Sequence, residues 1–127
     1  MTWQENDLWN PSEEVIRHWA ADADSFGPQD WDLEIVTMGY EDLFIELVED
    51  VNCPKADFFL HCLYLWVYQT LLSSGPTEEF ERLIRRGEVS VESALRIWAR
   101  RSRNLVVNRE REQRHLWWQF GQNRTDR

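Results

Sequence analysis

The chain has 127 residues, 43% of them hydrophobic, and a formal net charge of −9. That composition can build one core without metals or disulfides, and it is too apolar for a disordered chain. So large an acidic excess disfavours nucleic acid as a partner, and the opening MTWQENDLWN lacks the basic and apolar regions of a signal peptide.

From the N-terminus, Asn10-Pro11-Ser12-Glu13 reads as a helix start with Asn10 or Ser12 as cap. Val15, Ile16, Trp19, Ala20 and Ala23 follow at helical spacing, and Gly27-Pro28 breaks the chain. The next stretch, 28–38, alternates like a strand, but Trp31, Ile35 and Met38 also share a helix face. A lone strand has no partner, so a helix is expected. Leu43, Phe44, Leu47, Val48 and Val51 form a clear amphipathic face.

The most apolar segment spans about 54–73. Membrane crossing needs about 20 mainly apolar residues, and this run is shorter, begins beside Asp57 and carries His61 and Gln69. Pro54 suits a first helical turn with Asn52 or Cys53 as cap, and Ser74-Gly75-Pro76 is a stop signal. A helix apolar on all sides belongs at the centre of a bundle. Phe80, Leu83 and Ile84 then mark a short helix that Gly87 should close. Ser90 should cap another, with Val91, Ala94, Leu95, Trp98 and Leu105 facing inward. Asn108 offers a cap for a last helix carrying His115, Leu116, Trp117 and Phe120, which Gly121 should stop.

The expected architecture is an all-α, single-domain orthogonal bundle over 1–127. Six or seven helices surround the central one, with 1–9 and 122–127 frayed. The segments 13–24 and 92–103 echo one another: Trp19 aligns with Trp98, while Asp22 and Asp24 fall opposite Arg101 and Arg103. That charge reversal would let the two helix ends pair.

Charge is distributed unevenly. Residues 1–60 carry 15 acids against two bases, and residues 61–127 carry 8 acids against 12 bases. Thirteen of the fourteen bases are arginine, the side chain suited to bidentate carboxylate pairing, although a biased coding composition gives the same preference. Arginines 96, 100, 101, 103, 109, 111 and 114 form a basic stretch expected to pair partly with the acidic half. The two cysteines, Cys53 and Cys62, would lie about 13 Å apart along a helix, too far for a disulfide. Free thiols suit a cytoplasmic protein.

Few residues suggest chemistry. Each histidine has an acid one turn before it, as in Glu14/His18, Asp57/His61 and Glu112/His115. Such pairs stabilise helices, and His61 is expected to be a core histidine bonded to Asp57 or to backbone. Glu112-x-x-His115 has a di-metal ligand spacing, but it is a single motif among arginines. No Gly-rich phosphate loop, Cys-x-x-Cys pair or nucleophile elbow occurs, so neither a catalytic site nor a cofactor is expected.

The carboxylates are the better lead. Asp42, Glu46, Glu49 and Asp50 form a ridge opposite an apolar helix face. Together with Asp22, Asp24, Asp30, Asp32 and Glu34, and Trp31 as anchor, they make a candidate surface for a basic protein partner. The leading expectation is an inhibitor or immunity-type protein that masks a basic toxin or enzyme, with no membrane or nucleic-acid role. Its oligomeric state is open. Glu46-x-x-Glu49 also resembles the acidic pairs of helical nucleotide pyrophosphatases, which implies a Mg²⁺-dependent hydrolase as the alternative. Those enzymes use a second acidic pair, for which only Glu78-x-x-Glu81 is available here. A helical adaptor without a charge-dependent partner is the third reading.

Overall fold

The structure is a computed structural model that describes residues 10–26 and 31–122, with side chains as far as residue 108. Six helices pack together, with no strand among the described residues. They are α1 (Glu13–Ala21), α2 (Trp31–Ile35), α3 (Glu41–Glu49), α4 (Ala56–Ser73), α5 (Glu78–Glu88) and α6 (Ser93–Gln122).

Helix α1 begins where Ser12 Oγ accepts the Val15 N–H at 3.2 Å, and Glu13 and Glu14 in its first turn complement the helix dipole. Its buried stripe is Ile16, Trp19 and Ala20. The helix ends at Ala21, which leaves Ala23 exposed beyond it rather than on the inner face. Residues 31–35 are helical, and the four-residue spacing of Trp31 and Ile35 explains why: both are buried. Gly39, at φ 85°, then turns the chain into α3 through a left-handed conformation that glycine adopts freely.

Helix α3 buries Leu43, Phe44, Ile45, Leu47 and Val48. Val51 does not join them. The helix stops at Glu49, Asp50 is extended, and Val51 is left 89% exposed.

Helix α4 packs against α2, α3 and α6, and buries Phe59, Cys62, Leu63, Trp66, Val67 and Leu71. It starts at Ala56 after Lys55, which provides no side-chain cap, so Pro54 sits in the preceding turn rather than in the first helical turn. The expected stop is present: the Ser74 and Gly75 N–H groups both donate to Thr70 O at 2.9 Å, with Gly75 at φ 75°. Yet α4 is not enclosed on all sides, because His61, Tyr68 and Leu72 are exposed.

In α5, Thr77 Oγ1 caps the Phe80 N–H at 3.1 Å, and Phe80, Leu83, Ile84 and Gly87 are buried. Gly87 does not close the helix; it lies within the last turn and permits contact with α6. An added Cβ would sit 2.8 Å from Cζ3 and 2.9 Å from Cε3 of Trp98. Ser90 does not cap α6 directly. Its hydroxyl accepts the Glu92 N–H at 3.1 Å, and Glu92 Oε1 in turn accepts the Ala94 N–H at 3.4 Å. Val91 therefore falls in the loop, 88% exposed, while Leu95, Trp98, Ala99 and Ser102 face inward. Helix α6 runs unbroken through Asn108 for 30 residues, about 45 Å at 1.5 Å per residue, so the expected cap at Asn108 and separate last helix are absent. Segments 1–9 and 123–127 lie outside the described residues.

The core joins all six helices, and aromatic rings fix one end of it. Trp19 meets Trp31 edge-on at 4.5 Å and Phe58 at 5.0 Å, while Trp31 stacks on Phe58 at 5.6 Å. Lys55 Nζ sits 3.5 Å over the Trp19 ring and donates to Trp19 O at 2.8 Å. At the other end, Trp66 stacks on Phe80 at 5.6 Å. The echoed tryptophans share an environment: Trp19 and Trp98 are both buried, and neither Nε1 has an acceptor among the described residues. The ends of their helices do not pair as the charge reversal suggested. Arg103 bonds Glu81 and Glu88 of α5, and Arg101 donates to Tyr64 Oη at 3.2 Å.

Candidate functional site

The ridge on α3 is held within the molecule. Arg82 donates to both Asp42 oxygens at 3.2 and 2.8 Å, and Arg86 donates to the same carboxylate at 2.5 Å. Arg17 bridges Glu46 on α3 and Glu13 on its own helix. Glu49 accepts the Ser90 hydroxyl at 2.7 Å, and Asp50 Oδ1 accepts the Asn52 N–H at 2.9 Å. The arginine hydrogen bonds hold the Asp42 and Glu46 carboxyls below the usual carboxylate range. Sequence spacing showed that these acids share a face; it could not show which cations reach across from α1 and α5. Glu46 and Glu49 consequently face different partners, and no group of three or more His, Cys, Asp or Glu is placed to hold a metal ion among the described residues.

The other described acids lie in the chain before and after residues 27–30. Asp22 accepts the Ser25 hydroxyl at 2.5 Å and the Asp24 N–H at 3.1 Å, shaping a tight turn. Asp32 accepts the Leu33 N–H at 2.9 Å and lies 2.8 Å from His61 Nε2 on α4. His61 is thus an exposed residue that reaches Asp32, not a core histidine bonded to Asp57. Glu34 is exposed, and Asp30 lies outside the described residues. Trp31 cannot meet a partner from outside, because it is 1% exposed beneath Trp19 and Phe58. Phe26, two residues after Asp24 in the chain, is 89% exposed, and Leu33, between Asp32 and Glu34 in the chain, is 46% exposed. Their surface position was hidden in the sequence, since neither repeats a period that marks a face.

Two features were not anticipated. Glu41, at the start of α3, is 8% exposed with Oε2 lacking a hydrogen-bond partner among the described residues, and burial pushes its carboxyl up to about 7. Between the end of α3, the start of α4 and the start of α6 lies a groove of about 320 Å³. Cys53 lines it, while Cys62 is buried in the core; both are free thiols. Burial raises the Cys62 thiol far above the ordinary range, so Cys62 is a packing residue without thiolate reactivity.

The described part of the basic stretch ties α6 to α4, α5 and the loop before it. Arg103 joins Glu81 and Glu88, Arg96 donates to Ser90 O at 2.7 Å, and Arg100 is exposed. Arg103 therefore pairs within its own half of the chain, where the sequence suggested pairing with the acidic half. Side chains from residue 109 on, including the Glu112/His115 pair, lie outside the description. No helix among the described residues is long and apolar enough to cross a membrane. Comparison with family models, curated proteins and solved structures finds no match to this chain.

Proposed function

We propose that this chain is a small acidic binding module whose partner is a basic protein. The class that fits best is an inhibitor or immunity-type protein that neutralises a basic toxin or enzyme, with a nuclease among the candidates. The observation that carries this reading is the division of the acids into two sets. Arginines neutralise Glu13, Asp42, Glu46, Glu79, Glu81 and Glu88. Glu14, Asp24, Glu34, Glu49, Asp50, Asp57, Glu78 and Glu92 have no salt-bridge partner among the described residues. The unneutralised set, together with exposed Phe26 and Leu33, combines long-range attraction for a cationic surface with apolar groups that lose water on contact. The centre of the proposed surface therefore moves off the α3 ridge to Asp24, Glu34 and their neighbours.

The test is capture of the partner from the native host at low salt, followed by binding kinetics. The captured protein should be basic, and its association should slow steeply as salt rises, because the Debye length shrinks from about 10 Å at 0.1 M to about 3 Å at 1 M. Asp24→Asn with Glu34→Gln should lower the on-rate, whereas Phe26→Ala should raise the off-rate. An acidic or neutral partner whose binding ignores salt would overturn the proposal and favour a plain adaptor.

A further inference from the structure

The groove beside α4 is lined in two registers. Val48, Val51, Leu60 and Ala94 give it an apolar floor and wall, and Asp50, Asp57 and Glu92 give it three carboxylates. Val51 is 89% exposed at this site, and Val91, next to Glu92, is 88% exposed. Valines this exposed on adjoining loops leave apolar surface in water that a partner would cover.

The bases nearest in sequence to these carboxylates are Lys55 and Arg96, and both are directed elsewhere. Lys55 Nζ is held by Trp19 O and the Trp19 ring, and Arg96 Nη1 is held by Ser90 O. The chain thus pairs Asp42 and Glu46 of the α3 ridge with arginines but leaves the groove, Asp50 included, acidic. Two of the three carboxylates are also fixed in place: Asp50 accepts the Asn52 N–H, and Glu92 caps the start of α6. A hydrated inorganic cation would gain nothing from Val51 and Leu60. A side chain with an aliphatic stem and a cationic head uses both registers, the stem against valine and leucine and the head among the carboxylates.

We infer that this groove receives an arginine or lysine of the partner, flanked by an aliphatic residue, in an extended or helical basic segment. The inference rests on the binding-module reading and adds a specific point of entry to it. Cys53, which lines the groove, donates its thiol to Ala20 O of α1 at 3.7 Å, so this wall is braced against α1.

The probe is a synthetic peptide that alternates leucine and arginine, titrated into the isotope-labelled full chain and followed by backbone amide shifts. Controls replace every arginine by glutamate or every leucine by glycine. The expected result is a set of shifts centred on Val48, Val51, Leu60 and Ala94, abolished by the glutamate control and weakened by the glycine control. Asp57→Asn with Glu92→Gln should weaken binding about tenfold or more while preserving the α6 cap and the melting temperature. Val51→Ser, at an exposed position, should weaken it without unfolding. Shifts centred on Asp24 and Glu34, unaffected by Asp57→Asn with Glu92→Gln, would overturn the groove and leave the basic-partner reading intact. Absence of any salt-sensitive peptide binding, with an acidic partner captured from the host, would overturn both.

Discussion

Glu41 places a carboxyl of ordinary pKa 4.5 where burial raises it to about 7, with nearby Glu79 and Asp42 adding to the rise. Between those two values the folded protein keeps a proton that the unfolded chain has released. This group therefore makes stability fall as pH rises through that window and level off above it. Glu41→Gln should remove that slope, leaving stability nearly unchanged near pH 4.5 and raising it by about 2–3 kcal/mol near pH 8 in urea denaturation. An unchanged slope would show that Glu41 is solvated. Asp42 and Glu46 act in the opposite sense. Their arginine partners lower their pKa values, so their contribution is present at neutral pH and is lost as pH falls through the acid range. Gly87 sets the closest approach of α5 to α6. Gly87→Ala should destabilise by about 1–3 kcal/mol, because the Trp98 ring it would strike is itself packed on all sides. Trp98→Leu in the same chain should relieve part of that cost, and additive effects would mean the two residues do not touch.

The elements were largely legible because their cues are local. The Ser12 cap, the Gly75-Pro76 stop and the stripes of α1 and α3 depend on residues within a few positions of one another. Residues 31–35 gave an ambiguous pattern because five helical residues complete little more than one turn, which fits either period. The failures occurred where tertiary packing overrides local preference. Gly87 resembles a helix stop but is required by Trp98, and Asn108 resembles a cap but lies inside α6. The α6 assignment is open to a direct check. Asn108→Pro should cost about 3 kcal/mol and lower the helical circular-dichroism signal if the helix is continuous. A chain entering a new helix at that position would tolerate proline.

For the whole molecule, the excess of acids over bases was legible at once, but its arrangement was not. Pairing of Arg17 with Glu46, and of Arg82 and Arg86 with Asp42, joins positions 29 to 44 residues apart. No local pattern encodes such distances. The same separation conceals the groove, whose lining comes from residues 48–60 and 92–94. Net charge therefore predicted that some surface would remain acidic, and the fold decided which. Neutralising Asp42 and Glu46 should loosen attachments between helices and lower the melting temperature slightly. Neutralising Asp24 and Glu34 should leave melting unchanged and slow partner association.

The two thiols give the protein an internal clock for its own opening. Cys53 lies in a loop at partial depth, whereas Cys62 is sealed inside α4 with no exposed surface. A disulfide reagent should modify Cys53 on a timescale set by small loop excursions, and Cys62 only when the central helix leaves its neighbours. The slower phase then reports how often the bundle breathes under native conditions. A bound partner that clamps the α3–α4 loop should slow the faster phase first.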